Sequence, residues 1–344
     1  MRVTSWRRWL WVVAAAVAVF AVGPAASAQS PVPQPVCTIE AKRLAELSGM
    51  VADDDHVYAI NDGGTRIEIV VLGRDCSTDR VISAAADPYD VEDLARGPDG
   101  TFWLADTGDN RKQRETVALH AVTPDGETTL YRLNYPDGAH DAEALLLDRS
   151  GVPYIVTKNV LGRSDVYRPV GPLASPGPVA LEAVGSLSLD STDTRGGPVG
   201  STGSVLVTGA ASTPDGSVVA VRTYTDAYLY PAPDGDIVAA LGREPVRVPL
   251  ADEQQGEAIA FTPDGTLLSA SEGTAQPLRA LAGAAELARS RAAGTPDGEP
   301  SPAGAPSGAA TEEDSELPLL PGALLAVLIA IVAFAGVRAL FRRR

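Results

Sequence analysis

The amino-acid sequence predicts an all-β fold, a β-propeller of about five four-stranded blades, and three observations carry that prediction. Five positions, Ser48, Glu92, Glu143, Thr208 and Glu257, each open a short apolar run. Eight residues later comes a turn, at Gly100, Gly151, Gly216 and Gly265 with His56 in the first copy, and a second apolar run ends near Asp62, Asp106, Thr157, Arg222 and Ser271. The openings lie 44, 51, 65 and 49 residues apart, and a period of about 40–50 residues with several strands per unit marks propeller blades.

The elements follow in order. Three copies share the turn Pro-Asp-Gly, in "EDLARGPDGTFWLADTG", "TGAASTPDGSVVAVRTY" and "EAIAFTPDGTLLSASEG". Pro pre-sets φ and Gly tolerates φ > 0, so these are hairpins with a physical cause. Two further strands complete each blade: "RIEIVVL" and "RVISAAA" in the first, "TVALHAV" and "TTLYRLNY" in the second, "SDVYRPV" and "VALEAVGSLSL" in the third. The fourth has "DAYLYPA" and a strand within 237–250, whereas the fifth has only "PLRALAG". Its missing outer strand is expected from "VCTIEAKRLAEL" (36–47), which closes the ring and removes an open sheet edge. A sixth blade stays open as an alternative, since 190–203 could hold a degenerate strand; a β-sandwich does not predict the repeated eight-residue offset.

Both ends carry membrane signals. Arg2, Arg7 and Arg8 precede an apolar stretch and then Ala26-Ser27-Ala28, the pattern of a signal peptide over 1–28. The propeller is expected over 36–283, followed by a Pro/Gly/Ala/Ser-rich acidic spacer over 284–316. Residues 317–337 have no charge and suffice to span a bilayer. Arg338, Arg342, Arg343 and Arg344 follow, so the tail 338–344 is expected in the cytoplasm and the propeller outside, as a single-pass type I membrane protein.

Charge narrows the partners. The chain has 28 basic and 44 acidic residues. Seven arginines and no acid lie in the two apolar ends, leaving 21 against 44, a net −23, for 29–316. That excludes nucleic acid as a natural partner and leaves an extracellular ligand or protein. The only cysteines, Cys37 and Cys76, are 39 positions apart. An isolated pair in an exported domain reads as a disulfide, worth roughly 3–4 kcal/mol in the chain-entropy model, stapling the closing strand to the first blade. The alternative of free or metal-binding thiols has no Cys or His nearby at ligand spacing.

In an antiparallel hairpin the start of one strand and the end of the next share one end. That rim should collect Glu92 with Asp106, Glu143 with Thr157, Thr208 with Arg222, Glu257 with Ser271 and Ser48 with Asp62, with Asp90, Asp93, His140, Asp141, Lys158 and Glu272 beside them. The rim candidates are therefore Glu92, Asp106, His140, Glu143, Lys158, Arg222 and Glu257. Clustered oxygens suit Ca²⁺, with Glu92, Asp106, Glu143 and Glu257 as its ligands, while three His and two Cys disfavour zinc. Against this stands the ordinary use of short acids to bond their own turns, and of a lone histidine such as His140 as a strut. The glutamates are different, because no turn requires them.

"DVEDLARGPDGTFWLADTGDNRKQRETVALHAV" and "HDAEALLLDRSGVPYIVTK" resemble bacterial secreted propellers related to the phytase-like, esterase-like domain, and more distantly gluconolactonase/regucalcin and NHL-type propellers. The resemblance to the lactonases implies a divalent metal held by an inner-strand glutamate, and Glu92, Glu143 and Glu257 occupy comparable starts. Resemblance to the phytases implies Ca²⁺ with basic residues on phosphate, for which Lys158, Arg222, Arg66, Arg111 and Arg163 are available. No Gly-x-Ser-x-Gly elbow is present. Two functions are consistent with the whole: a membrane-tethered binding propeller, and a Ca²⁺-dependent hydrolase of a lactone, ester or phosphoester.

Overall fold

The computed structural model describes residues 32–294. The expected signal peptide (1–28), membrane span (317–337) and basic tail (338–344) lie outside the described residues. Among the described residues no helix is long and apolar enough to cross a membrane.

The chain enters along β1 (Gln34–Ile39) and a 3-10 turn at Lys42–Leu44. Blade one is β2 (Leu47–Ala52), β3 (Val57–Asn61), β4 (Ile67–Leu72) and β5 (Thr78–Ala84). Blade two is β6 (Val91–Arg96), β7 (Phe102–Asp106), β8 (Val117–Val122) and β9 (Thr128–Asn134), and blade three is β10 (Ala142–Leu147), β11 (Pro153–Thr157), β12 (Arg163–Pro169) and β13 (Val179–Ser188). Blade four comprises β14 (Val207–Ser212), β15 (Val218–Thr223), β16 (Asp226–Pro231) and β17 (Val246–Pro249), with the short helix α1 (Ile237–Leu241) before its last strand. Blade five is β18 (Gly256–Phe261), β19 (Leu267–Ser271) and β20 (Gln276–Leu281), followed by helix α2 (Ala284–Gly294). Its fourth strand is β1, antiparallel to β20 from Gln34↔Ala280 to Ile39↔Gln276. The outer strands of blades two and three also meet, in a short parallel pairing of Val179 with Leu133 and Ala180 with Asn134, which fuses the two into one eight-stranded sheet.

The inner strands β2, β6, β10, β14 and β18 are neighbours in that cyclic order, and β18 returns to β2. The ring therefore closes with five blades. Residues 190–203 supply no sixth: they run as irregular chain into a 3-10 turn at Gly200–Val205, and Thr192 and Thr194 are spent on hydrogen bonds to the Asp226 carboxylate.

The core sits between blades, because strands with period two and two buried faces feed both neighbours. In β4, Ile67, Ile69 and Val71 pack towards blade two with Val91, Leu94, Phe102 and Leu104. Val70 and Leu72 point the other way, into a cluster with Ala258, Ala260 and Leu278 of blade five. Comparable clusters fill the remaining three interfaces.

The closing strand begins two residues before the expected segment and stops at Ile39, because the chain then turns to bury Leu44. Cys37 on β1 and Cys76 after β4 form a disulfide, Cα–Cα 5.9 Å, that fastens this strand to blade one. The composition of 284–316 predicts a spacer whose first part, 284–293, is compatible with a short helix, and that part folds as α2. Ala284, Ala285 and Ala288 are buried in the cluster between blades four and five, and Arg289 pairs with Asp215 at 3.1 Å in the blade-four turn.

Cys76→Ser is expected to lower unfolding free energy by roughly 3–4 kcal/mol with unchanged β content. Denaturant titration of the oxidised protein checks this, and an unmoved midpoint would refute a stapling role.

Candidate functional site

Every inner hairpin carries the same irregularity. The register shifts between Leu47 and Gly49, Val91 and Asp93, Ala142 and Ala144, Val207 and Gly209, and Gly256 and Ala258. The extra residues are Ser48, Glu92, Glu143, Thr208 and Glu257, the five positions that open the sequence repeat. A bulge leaves one residue unpaired and re-aims its side chain, and here the device recurs at the same level around the axis. All five are buried.

Directly below, inner strands approach so closely that a Cβ on Gly49 would fall 2.5 Å from the Leu94 nitrogen, and one on Gly209 2.4 Å from the Glu257 carbonyl oxygen. Blade two places Asp93 at this level. Its Oδ1 accepts from Leu94 N at 2.8 Å, and its Oδ2 accepts from Leu145 N at 2.7 Å and Ala210 N at 3.1 Å, joining blades two, three and four. Burial pushes the Asp93 carboxyl up, opposed by these three N–H groups and by Arg222. Both oxygens are used as acceptors for backbone N–H groups.

Above Asp93 the glutamates form an acidic well. Lys158 enters from the end of β11: its Nζ lies 2.5 Å from Glu143 Oε1 and 2.8 Å from the Tyr224 hydroxyl, and 4.9 Å from the centre of the Tyr224 ring. Burial pushes Lys158 down, but Glu143, Tyr224 and Asp141 outweigh it and hold it as an ammonium. Glu257 accepts from Gln255 Nε2 at 3.1 Å. Burial pushes Glu257 up, reinforced by Glu272. Burial likewise pushes Glu92 up, with Glu143, Asp90, Asp141 and Glu257 adding to it. Glu272 rises to about 7, chiefly by burial. Asp141 Oδ1 accepts from Asp109 N at 2.8 Å and anchors the loop over the well. In that loop a Cβ on Gly108 would fall 2.1 Å from Glu92 Oε1 and 2.7 Å from the Asp90 carboxylate, so only a glycine lets the backbone sit over them.

Glu92, Glu143, Glu257 and Lys158 thus meet, while three other sequence candidates do not join them. Asp106 turns outward to Arg114 at 2.9 Å and His120 at 3.1 Å. Burial pushes it up, but His120, Arg114 and the N–H groups of Tyr89 and Asp90 prevail and hold it at about 2. Arg222 is wholly buried as a strut between blades four and five, 2.7 Å from Glu253 and donating to the carbonyls of Thr223, Ala258 and Ala270. It is not available to a phosphate. His140 stands apart with Asp137, at 3.0 Å, and the Tyr167 hydroxyl, at 3.2 Å. Tyr224 and Gln255 belong to the site although neither stands at a repeated position.

A calcium site built from Glu92, Asp106, Glu143 and Glu257 does not fit this arrangement. Asp106 is engaged elsewhere, the positive charge against Glu143 is Lys158, and among the described residues no group of three or more His, Cys, Asp or Glu is arranged to hold a metal ion. Two clefts lie off the well. One of about 600 Å³ involves Arg149, Tyr154, Arg168 and Asp236, and one of about 280 Å³ involves Arg43, Asn61, Arg66 and Leu104. The charge chemistry and the bulges both single out the well instead.

No family model matches the chain, and no curated protein matches it. Among solved structures it is similar to Myxococcus xanthus glutaminyl cyclase, at 13% identity over 73% of this chain and 96% of that one, TM-score 0.42. It is also similar to a Xanthomonas campestris gluconolactonase, at 15% identity over 73% and 87%, TM-score 0.38. The propeller assignment rests on the closed ring of inner strands, and likenesses this distant add nothing about chemistry.

The pKa of Glu272 generates a prediction with a definite sign. Folding favours its neutral form, so its stabilising contribution is complete below about 4.5 and is lost as pH rises through about 7. Wild type should lose up to about 3 kcal/mol from this group across that window. Glu272→Gln should remove that share, as read by denaturant unfolding at a series of pH values. Equal slopes in the two proteins would refute it. Gly108→Ala should displace the Glu92 and Asp90 carboxylates and cost about 1–3 kcal/mol by overpacking, measured in the same way.

Proposed function

We propose that this chain is a membrane-tethered extracytoplasmic β-propeller that binds a polar ligand or partner in the carboxylate well. One observation carries the reading: bulges on separate blades deliver buried glutamates to one place, and oxygens of Glu92, Glu143 and Glu272 there lack any hydrogen-bond partner. Buried polar groups are ordinarily satisfied, so such oxygens mark a place built for something to bind. The signal-peptide pattern, the apolar span 317–337 and the disulfide support export and tethering. β1 and α2 both start away from the well: β1 begins beside Ala280, and Ala285 bonds the Gly265 turn at the far end of blade five.

A hydrolytic reading is favoured by the Glu272 carboxyl at about 7, in the range of a general acid–base group. Its calcium-dependent form requires a ligand set that the described residues do not bring together. The two readings separate on the purified full-length chain. Binding without turnover of model esters, lactones and phosphoesters, with and without calcium, is expected. Turnover that falls at least tenfold in Glu272→Gln would favour the hydrolase (about 1.4 kcal/mol). In intact cells, protease should release the propeller by cutting within 295–316; recovery of the propeller only from the cytoplasm would overturn the exported reading.

A further inference from the structure

Resting on the binding role just proposed, we infer that the well recognises an organic ammonium group, a primary amine that docks beside Lys158 between Glu92 and Glu143. Charge is the first argument. Asp90, Glu92, Asp141, Glu143, Glu257 and Glu272 act on one another electrostatically, and the ammonium facing Glu143 among them is Lys158. The second argument is the distribution of free acceptors. Oε1 of Glu92, Oε2 of Glu143 and Oε1 of Glu272 are buried without a hydrogen-bond partner, as is Oγ of Ser48 at the same bulge level. Glu92 and Glu143 are 2% and 1% exposed.

These acceptors come singly, from different blades. Calcium requires about six to eight oxygens at 2.3–2.6 Å around one point, and no such convergence exists among the described residues. An ammonium has three N–H donors and reaches acceptors about 2.7–3.0 Å away, one oxygen per donor. Lys158 shows that the well accepts this group, since its own Nζ is held by a carboxylate, a tyrosine hydroxyl and the face of the same ring.

The test is titration of the full-length chain in detergent, followed by calorimetry and thermal unfolding, with putrescine as the amine. Tetramethylammonium serves as a cation without N–H donors, calcium chloride as the metal and sorbitol as a neutral polyol. Putrescine should bind and raise the melting temperature, with tetramethylammonium at least about tenfold weaker. Glu92→Gln should weaken putrescine by a similar factor while leaving β content and the Cys37–Cys76 disulfide intact. Glu92→Asp, which keeps the charge but withdraws it by one methylene, should also weaken it and covers the case in which the Gln variant misfolds. Equal responses to putrescine and tetramethylammonium would reduce the effect to charge screening and overturn the inference. Binding of calcium or sorbitol without putrescine would leave a binding well but a different occupant. No response to any probe would remove the binding role as well.

Discussion

The carboxylate of Asp93 is the contact on which the centre of this molecule depends. One side chain on blade two receives backbone N–H groups from β6, β10 and β14, so three of the five inner strands are held at a common level by two oxygen atoms. Those N–H groups are buried, and an unpaired buried amide costs about 1–3 kcal/mol. An apolar residue at 93 would orphan Leu145 and Ala210 at once. The bulge at Glu92 is coupled to this: the extra residue lets Asp93 reach across the axis while Glu92 is thrown upward. The same chain irregularity that ties the blades together therefore builds the floor of the well.

Stability and site chemistry pull in opposite directions in that well. Burying several carboxylates together is unfavourable unless they are paired or protonated, and there Glu143 is paired with Lys158. Away from the well the molecule does the reverse. Asp106 is neutralised by Arg114 and His120, and Glu253 by Arg222 and Arg279. Asp106 and Glu253 are matched with cations and Asp93 with backbone N–H groups, whereas Glu92, Glu257 and Glu272 are left with raised proton affinity at the bulge level. The five interblade clusters carry the compensating apolar burial.

Much of the ring was legible in the sequence because its signals are local. Pro-Asp-Gly turns fix the hairpins, and the interval between hairpins leaves room for two more strands. The borrowed strand of blade five was legible from its absence at the other end, although its bounds were set by the burial of Leu44, which pattern alone does not weigh. The glutamates of the bulges stood out as a residue type repeated without a turn to explain it. What escaped was side-chain direction. Asp106 and Arg222 occupy the expected backbone level, since Asp106 pairs with Val91 and Arg222 with Gly209, but each is drawn away by a partner remote in sequence or on another strand. Glu253 precedes β18 in an irregular stretch that carries no periodic signal. Tyr224 is missed for the same reason, lying two residues past a repeated position in a loop. Its aromatic ring beside a turn threonine was the only local hint.

The borrowed strand also imposes an order of events on the growing chain. Among the strands of the described residues β1 is the first to be synthesised, and β20, its partner, is the last. For most of the chain's emergence β1 has no sheet to join, and its exposed edge is available to any other strand. Cys37 and Cys76 are both present before blade two begins, so their bond can hold β1 beside blade one while four more blades form. The disulfide then acts as a latch set at the start of synthesis, keeping the first strand within reach of the last and reducing its opportunity to pair with a second molecule.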